Sequence, residues 1–173
     1  MKFLTRNRLI GLALALAIFL VDQWIKAWVV AIKLRELQVI ELIPFFRLTW
    51  VENYGVSLGL LTANSLEMRL GLILLTLGIA CVVLVWLLRE KHWWDIAPLA
   101  LVLGGAMGNI RDRVNFGFVV DYADLHFGDF RPFLVFNLAD AAITIGVLII
   151  LARSFLSREK HEDENAGAKP SEI

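Results

Sequence analysis

A chain of 173 residues, 58 % of them hydrophobic and only 20 % charged, with a mean hydropathy of +0.68, carries more apolar surface than a soluble domain of this size needs. Lysine plus arginine and aspartate plus glutamate balance at 17 each, so net charge argues for neither nucleic acid nor an acidic partner. The single cysteine, Cys81, excludes an internal disulfide and, lying in an apolar run, reads as a buried, inert thiol.

Taken in order, Lys2, Arg6 and Arg8 precede an apolar run from Leu9 to Val21. A signal peptide would begin the same way, and Ala15-Leu16-Ala17 resembles a cleavage site. The apolar character resumes beyond Asp22 and Lys26, however, to about residue 32, enough to cross about 30 Å of hydrocarbon, so a retained first helix is predicted over about 9–32. Residues 33–66 are mixed. Phe46, Leu48 and Trp50 alternate with Arg47, Thr49 and Val51 ahead of a turn at Glu52-Asn53-Tyr54-Gly55, which predicts short strands on the membrane surface within 40–62. Trp50, Tyr54 and the Phe45-Phe46 pair suit the interfacial belt.

An uncharged run predicts a second span over about 68–88, followed by a charged and aromatic loop. A third span is expected over about 96–114 and a fourth over about 132–153. Residues 1–157 form one domain by this reading, and 158–173 a disordered cytoplasmic tail. The fold class is an all-α membrane protein of four transmembrane helices with a small extracytoplasmic β segment. Basic residues at the N-terminus, in the 89–94 loop and at the start of the tail place both termini in the cytoplasm.

The stretch 104–146 holds five aspartates inside an otherwise membrane-like sequence, and ionisable groups there are costly enough to point to function. With the termini inside, Asp22 and Lys26, Asn109 to Arg113, and Asn137 with Asp140 all converge on the outer leaflet. Asp121 follows an apolar run and Asp140 is enclosed by another. Apolar surroundings favour the neutral acid, and two carboxylates a few Å apart share one proton, an arrangement suited to peptide hydrolysis. The plainer alternative is that each aspartate caps or pairs locally. Asp112 reads as the ion-pair partner of Arg111 or Arg113, Asp129 as a turn residue and Asp124 as structural. Asn109 with Arg113 and Asn137 with Asp140 share helix faces and would orient the acids and the substrate backbone, while Asp22 and Lys26, four apart, form a supporting pair. Gly104 with Gly108, and Ala142 with Gly146, allow close helix approach.

Other chemistries have weaker support. His126 lacks companions at zinc-ligand spacing, Ser57 lacks a nucleophile turn, and no metal or cofactor is expected. A carboxylate-lined ion or proton pathway is the non-enzymatic rival, but it would place polar groups throughout the membrane rather than at one depth.

The motifs Asp22-Gln23-x-x-Lys26, Asn53-x-Gly55, Gly108-Asn109-x-x-Asp112-Arg113, Val120-Asp121-Tyr122 and Phe136-Asn137-x-Ala139-Asp140-x-Ala142, in this order over about residues 9–152, resemble signal peptidase II, the bacterial lipoprotein signal peptidases. The resemblance implies an intramembrane aspartic endopeptidase of the bacterial cytoplasmic (inner) membrane. Such an enzyme cuts prolipoprotein signal peptides immediately before a diacylglyceryl-modified cysteine, and this chain is expected to act as a monomer. It places the catalytic pair on Asp121 and Asp140, makes Asn53, Gly55, Asn109, Arg113 and Asn137 site residues, and assigns Asp22 and Lys26 to the helix-one motif. Val56-Ser57-Leu58 and Arg111 depart from the family's usual residues and bear on substrate preference.

Overall fold

The computed structural model describes residues 4–55, 66–128 and 130–167, with side chains described up to residue 156. Four long helices dominate: α1 (Arg6–Ala31), α3 (Leu66–Arg89), α4 (Trp93–Asn115) and α5 (Leu138–Gly167). The short helix α2 (Leu34–Leu37) and strands β1 (Val39–Ile43) and β2 (Phe46–Asn53) lie between α1 and α3, and β3 (Val119–Leu125) lies between α4 and α5.

Three of these helices, α1, α3 and the Leu138–Leu156 part of α5, are long and apolar enough to cross a membrane. Their side chains are mostly exposed, with Leu74, Val82 and Leu148 each more than half accessible, which suits a surface solvated by lipid tails. Cys81 lies on this exposed face of α3 and is not buried as expected, because the apolar run around it faces outward.

Helix α4 packs against α1, α3 and α5 and is the centre of the bundle. Small residues permit this. A Cβ on Gly104 would lie 2.5 Å from the Ala15 carbonyl oxygen of α1, one on Gly105 would lie 2.5 Å from the Ala139 carbonyl oxygen of α5, and one on Gly146 would lie 2.6 Å from the Pro98 carbonyl oxygen. The apolar core follows the same axis through Leu87, Ile96, Leu99, Ala100 and Leu103.

The strands form one antiparallel sheet in the order β1-β2-β3. Val51 sits opposite Asp121 and Asn53 opposite Val119. Strand β2 answers the alternation at Phe46 to Val51, and β1 fills the start of the expected strand segment from Val39; residues 56–62 of that segment lie outside the described residues, as does Asp129. Strand β3 is an addition to the strands expected within 40–62: it is buried on both faces, so its residues around Asp121 carry no alternation that marks a strand. The helix α5 also starts at Leu138 rather than near Pro132. Phe136 is instead paired with Ala123 of β3, its N–H donating over 3.0 Å and its carbonyl accepting over 2.8 Å, so the backbone there is committed to the sheet. Asp140 accordingly lies in the first turn of α5, not deep along it. At the other end the α5 backbone stays helical to Gly167, into the stretch expected to be a disordered tail.

Candidate active site

Four separate elements deliver polar side chains to one place between the sheet and the bundle. Helix α5 opens with a reciprocal cap. The Asn137 Oδ1 accepts from the Asp140 N–H at 2.9 Å, and an Asp140 carboxylate oxygen accepts from the Asn137 N–H at 3.4 Å. Asp140 thereby sits where the positive end of the helix dipole favours a negative charge. Asp121 comes from the middle of β3 and is 2 % exposed.

Two asparagines connect the acids. The Asn137 Nδ2 donates to Asp121 Oδ1 at 2.6 Å, and Asn109 Nδ2 donates to Asp140 Oδ1 at 2.8 Å. The Asn137 Nδ2 also lies 3.3 Å from Asn109 Oδ1, which closes a chain from one carboxyl to the other. From β2, Asn53 Nδ2 donates to the second oxygen of Asp121 at 3.0 Å. Burial first, and the neighbouring Asp140 carboxylate second, push the Asp121 carboxyl up to about 7 despite the hydrogen bonds from Asn53 and Asn137 that oppose the shift.

The asparagines are themselves held. Lys26 Nζ donates to Asn109 Oδ1 at 3.2 Å and forms ion pairs with Asp22 at 2.9 Å and Asp112 at 2.8 Å, all three charged side chains being at most 3 % exposed. Asp112 thus pairs with Lys26 of α1 rather than with Arg111 or Arg113 as expected, because it faces into the bundle while Arg111 turns outward to Gln23. The acids of this cluster also fix backbone. Asp22 Oδ1 accepts from the Ala139 N–H at 3.1 Å, and Asp112 Oδ2 accepts from the Val120 N–H at 3.2 Å, so the residues next to Asp140 and Asp121 are both tied to it. Gln23, whose only sequence signal is its place in the helix-one motif, donates to both Asp22 and Asp112, at 3.0 and 3.2 Å.

Arg113 is buried and donates to the Gly55 carbonyl at 2.8 Å, and its Nε has no hydrogen-bond partner among the described residues. A cavity of about 260 Å3 opens beside it, walled on the polar side by Asn53, Asn109, Arg113 and Asp140 and on the apolar side by Ile79, Val102 and Ile143 of α3, α4 and α5. Every expected site residue, Asn53, Gly55, Asn109, Arg113, Asp121, Asn137 and Asp140, therefore belongs to one connected cluster, with Asp22 and Lys26 directly beneath it. Asp124 lies apart in the sheet. Burial alone would raise its carboxyl, but the hydrogen bond from Arg47 at 2.7 Å and the nearby Arg131 hold it below the usual carboxylate range.

The fold matches membrane enzymes of known structure. One bacterial membrane enzyme solved by the in meso method at 2.3 Å resolution superposes with a TM-score of 0.73 at 24 % identity, covering 95 % of this chain and 94 % of its own. Another, solved at 1.9 Å, gives 0.70 at 26 % identity over 83 % of this chain and 91 % of its own. The sequence narrows the class. Residues 14–156 match the family described as signal peptidase (SPase) II. The lipoprotein signal peptidase of Sphingopyxis alaskensis is 50 % identical over 163 residues, 93 % of this chain and 92 % of the relative, and that of Rhizorhabdus wittichii is 50 % identical over 165 residues, 94 % and 95 %. The chain belongs to the signal peptidase II family and is a peptidase.

Proposed function

We propose that this chain removes signal peptides from prolipoproteins by aspartic catalysis, with Asp121 and Asp140 as the catalytic pair. The observation that carries the assignment is the unbroken hydrogen-bond chain from Asp121 through Asn137 and Asn109 to Asp140, beside a cavity with an apolar wall. Asp140, at the helix N-terminus, is the ionised member, and the more deeply buried Asp121 carries the shared proton. The Asp140 carboxylate takes a proton from water as its oxygen bonds to the scissile carbonyl carbon, while Asp121 gives its proton to the carbonyl oxygen. Collapse of the tetrahedral species breaks the C–N bond. The proton on Asp140 goes to the departing amine, and Asp121 recovers its own from the hydroxyl as the carbonyl re-forms.

Arg113, whose side chain lines the cavity, binds a carbonyl of the substrate backbone, and Asn53 covers Asp121 until substrate displaces it. The apolar wall of the cavity takes the acyl chains of a diacylglyceryl-modified cysteine, and cleavage falls immediately before that residue. Helix α4 is a fourth span by this reading, since it lies in the centre of the three apolar helices. Both termini face the cytoplasm of a bacterial cell, the site lies toward the outer leaflet of the cytoplasmic membrane, and the enzyme acts as a monomer. The rival ion pathway is not favoured, because the family is a peptidase family and the polar groups gather at one end of the bundle.

The test is cleavage of a lipidated precursor peptide by the purified protein in detergent or lipid. Asp121→Asn and Asp140→Asn should each lower turnover by at least about 1,000-fold with the fold intact, and the wild-type rate should follow a bell in pH whose upper limb falls near 7 as the shared proton is lost. Retained turnover in either variant removes the pair.

A further inference from the structure

Arg69 belongs to no motif of the sequence and stands in the first turn of α3, half-buried, next to the end of α4. Its Nε donates to the Arg113 carbonyl at 2.8 Å and its Nη2 to the Val114 carbonyl at 2.7 Å. Those are among the last carbonyls of α4, which the helix itself leaves short of donors, and a cation there also complements the helix dipole. The Arg113 carbonyl receives a second hydrogen bond from the Gly117 N–H at 3.2 Å, and Gly117 has a φ of +90°, a left-handed conformation that ends the helix and turns the chain into β3. A Cβ at Gly117 would lie 3.0 Å from Arg69 Nη1, so guanidinium and turn are packed against each other.

We infer that Arg69 is a positioning residue for the peptidase reaction: its guanidinium fixes the end of α4 and the turn after it, and so sets Arg113 and Asp121 against Asp140. One side chain thus holds both the last turn of α4 and the turn that leads into β3. Arg113 reaches from that helix end to the Gly55 carbonyl at 2.8 Å, and Asp121 follows Gly117 by one short stretch of chain. The inference rests on the assignment of Asp121 and Asp140 above, because Arg69 touches neither acid and acts only through the backbone that carries them.

With a lipidated precursor peptide, Arg69→Gln should lower kcat by about 10- to 100-fold, the cost of misplacing reacting groups by a fraction of an ångström to an ångström. It should also move the upper limb of the pH-rate profile, since the proton affinity of Asp121 depends on its distance from Asp140. Arg69→Lys, which keeps the charge but loses the two-pronged reach, should fall between Arg69→Gln and the parent in both respects. A merely structural arginine would lower the unfolding temperature and leave kcat per folded molecule and the pH profile unchanged, and that result overturns the inference. If Arg69→Gln does not fold, Arg69→Lys decides alone: parental kcat and pH profile there overturn it as well. Asp121→Asn, assayed in parallel, separates the two levels, because turnover in that variant refutes the catalytic assignment, whereas an inactive Asp121→Asn beside a fully active Arg69→Gln refutes only the role of Arg69.

Discussion

Helices α3 and α4 are nearly the same length and adjacent, yet they solve opposite problems. Along α3 the buried residues are Leu72, Ala80 and Leu87 and its composition is the most apolar of the three candidate spans. Helix α4 is buried over most of its length, and its buried set includes Gly104, Gly105, Gly108, Asn109, Asp112 and Arg113. In water the greasier helix would be the inner one. Here lipid is the solvent for the apolar helix, and the interior is reserved for small residues that permit contact and polar ones that find partners.

The contrast can be broken from the α4 side first. Lys26→Met would leave Asp22 and Asp112 facing each other in a dry site and free Asn109, so a loss of about 3–5 kcal/mol is expected on thermal unfolding in micelles, with activity lost too. An unchanged transition would mean that water reaches the cluster. Asp121→Asn should act with the other sign. Because the Asp121 carboxyl rises from 3.8 to about 7, the folded state binds the extra proton between those limits, so that stability is present below 3.8 and lost as pH climbs to about 7. The asparagine variant should therefore outlast the parent at pH 8, by at most ~4 kcal/mol, and show no gain below pH 4. Gly105→Ala, whose new methyl would meet the Ala139 carbonyl one residue before Asp140, should cost about 1–3 kcal/mol and reduce turnover, read from the same melts and from cleavage rates. The smallest effect belongs to α3. Leu74→Ala, at a position 67 % exposed, should alter neither stability beyond about 0.5 kcal/mol nor cleavage. A large loss there would place α3 against something other than lipid.

The parts of this architecture legible in the sequence are those where the bilayer makes composition unambiguous. Asp121 and Asp140 stand out because a carboxylate among phenylalanines and valines has few harmless explanations, and Asp22 with Lys26 because four residues make one helical turn. Local pattern misled where tertiary pairing overrode it. Val119 to Asp124 is buried throughout and carries one aspartate on each face, so a strand covered on both sides shows no alternation of apolar and polar residues to mark it. The start of α5 was nonetheless written in the chain, since Asn137-x-x-Asp140 is the spacing of a reciprocal helix cap. The Lys26–Asp112 pair and the grip of Arg69 on α4 join residues 86 and 44 positions apart or more in the sense of contact across helices, and no local signal announces them.

The sheet has a consequence for how the protein is made. Strand β2 leaves the ribosome before α3 and α4, but the strand it must pair with follows both, so the row of backbone groups opposite Asp121 waits without its ladder while two further helices are made. Phe136, which closes the far edge of β3, comes later still. The sheet and its bridge to Phe136 can therefore close only after α4 has been made, in the stretch of chain that directly precedes α5.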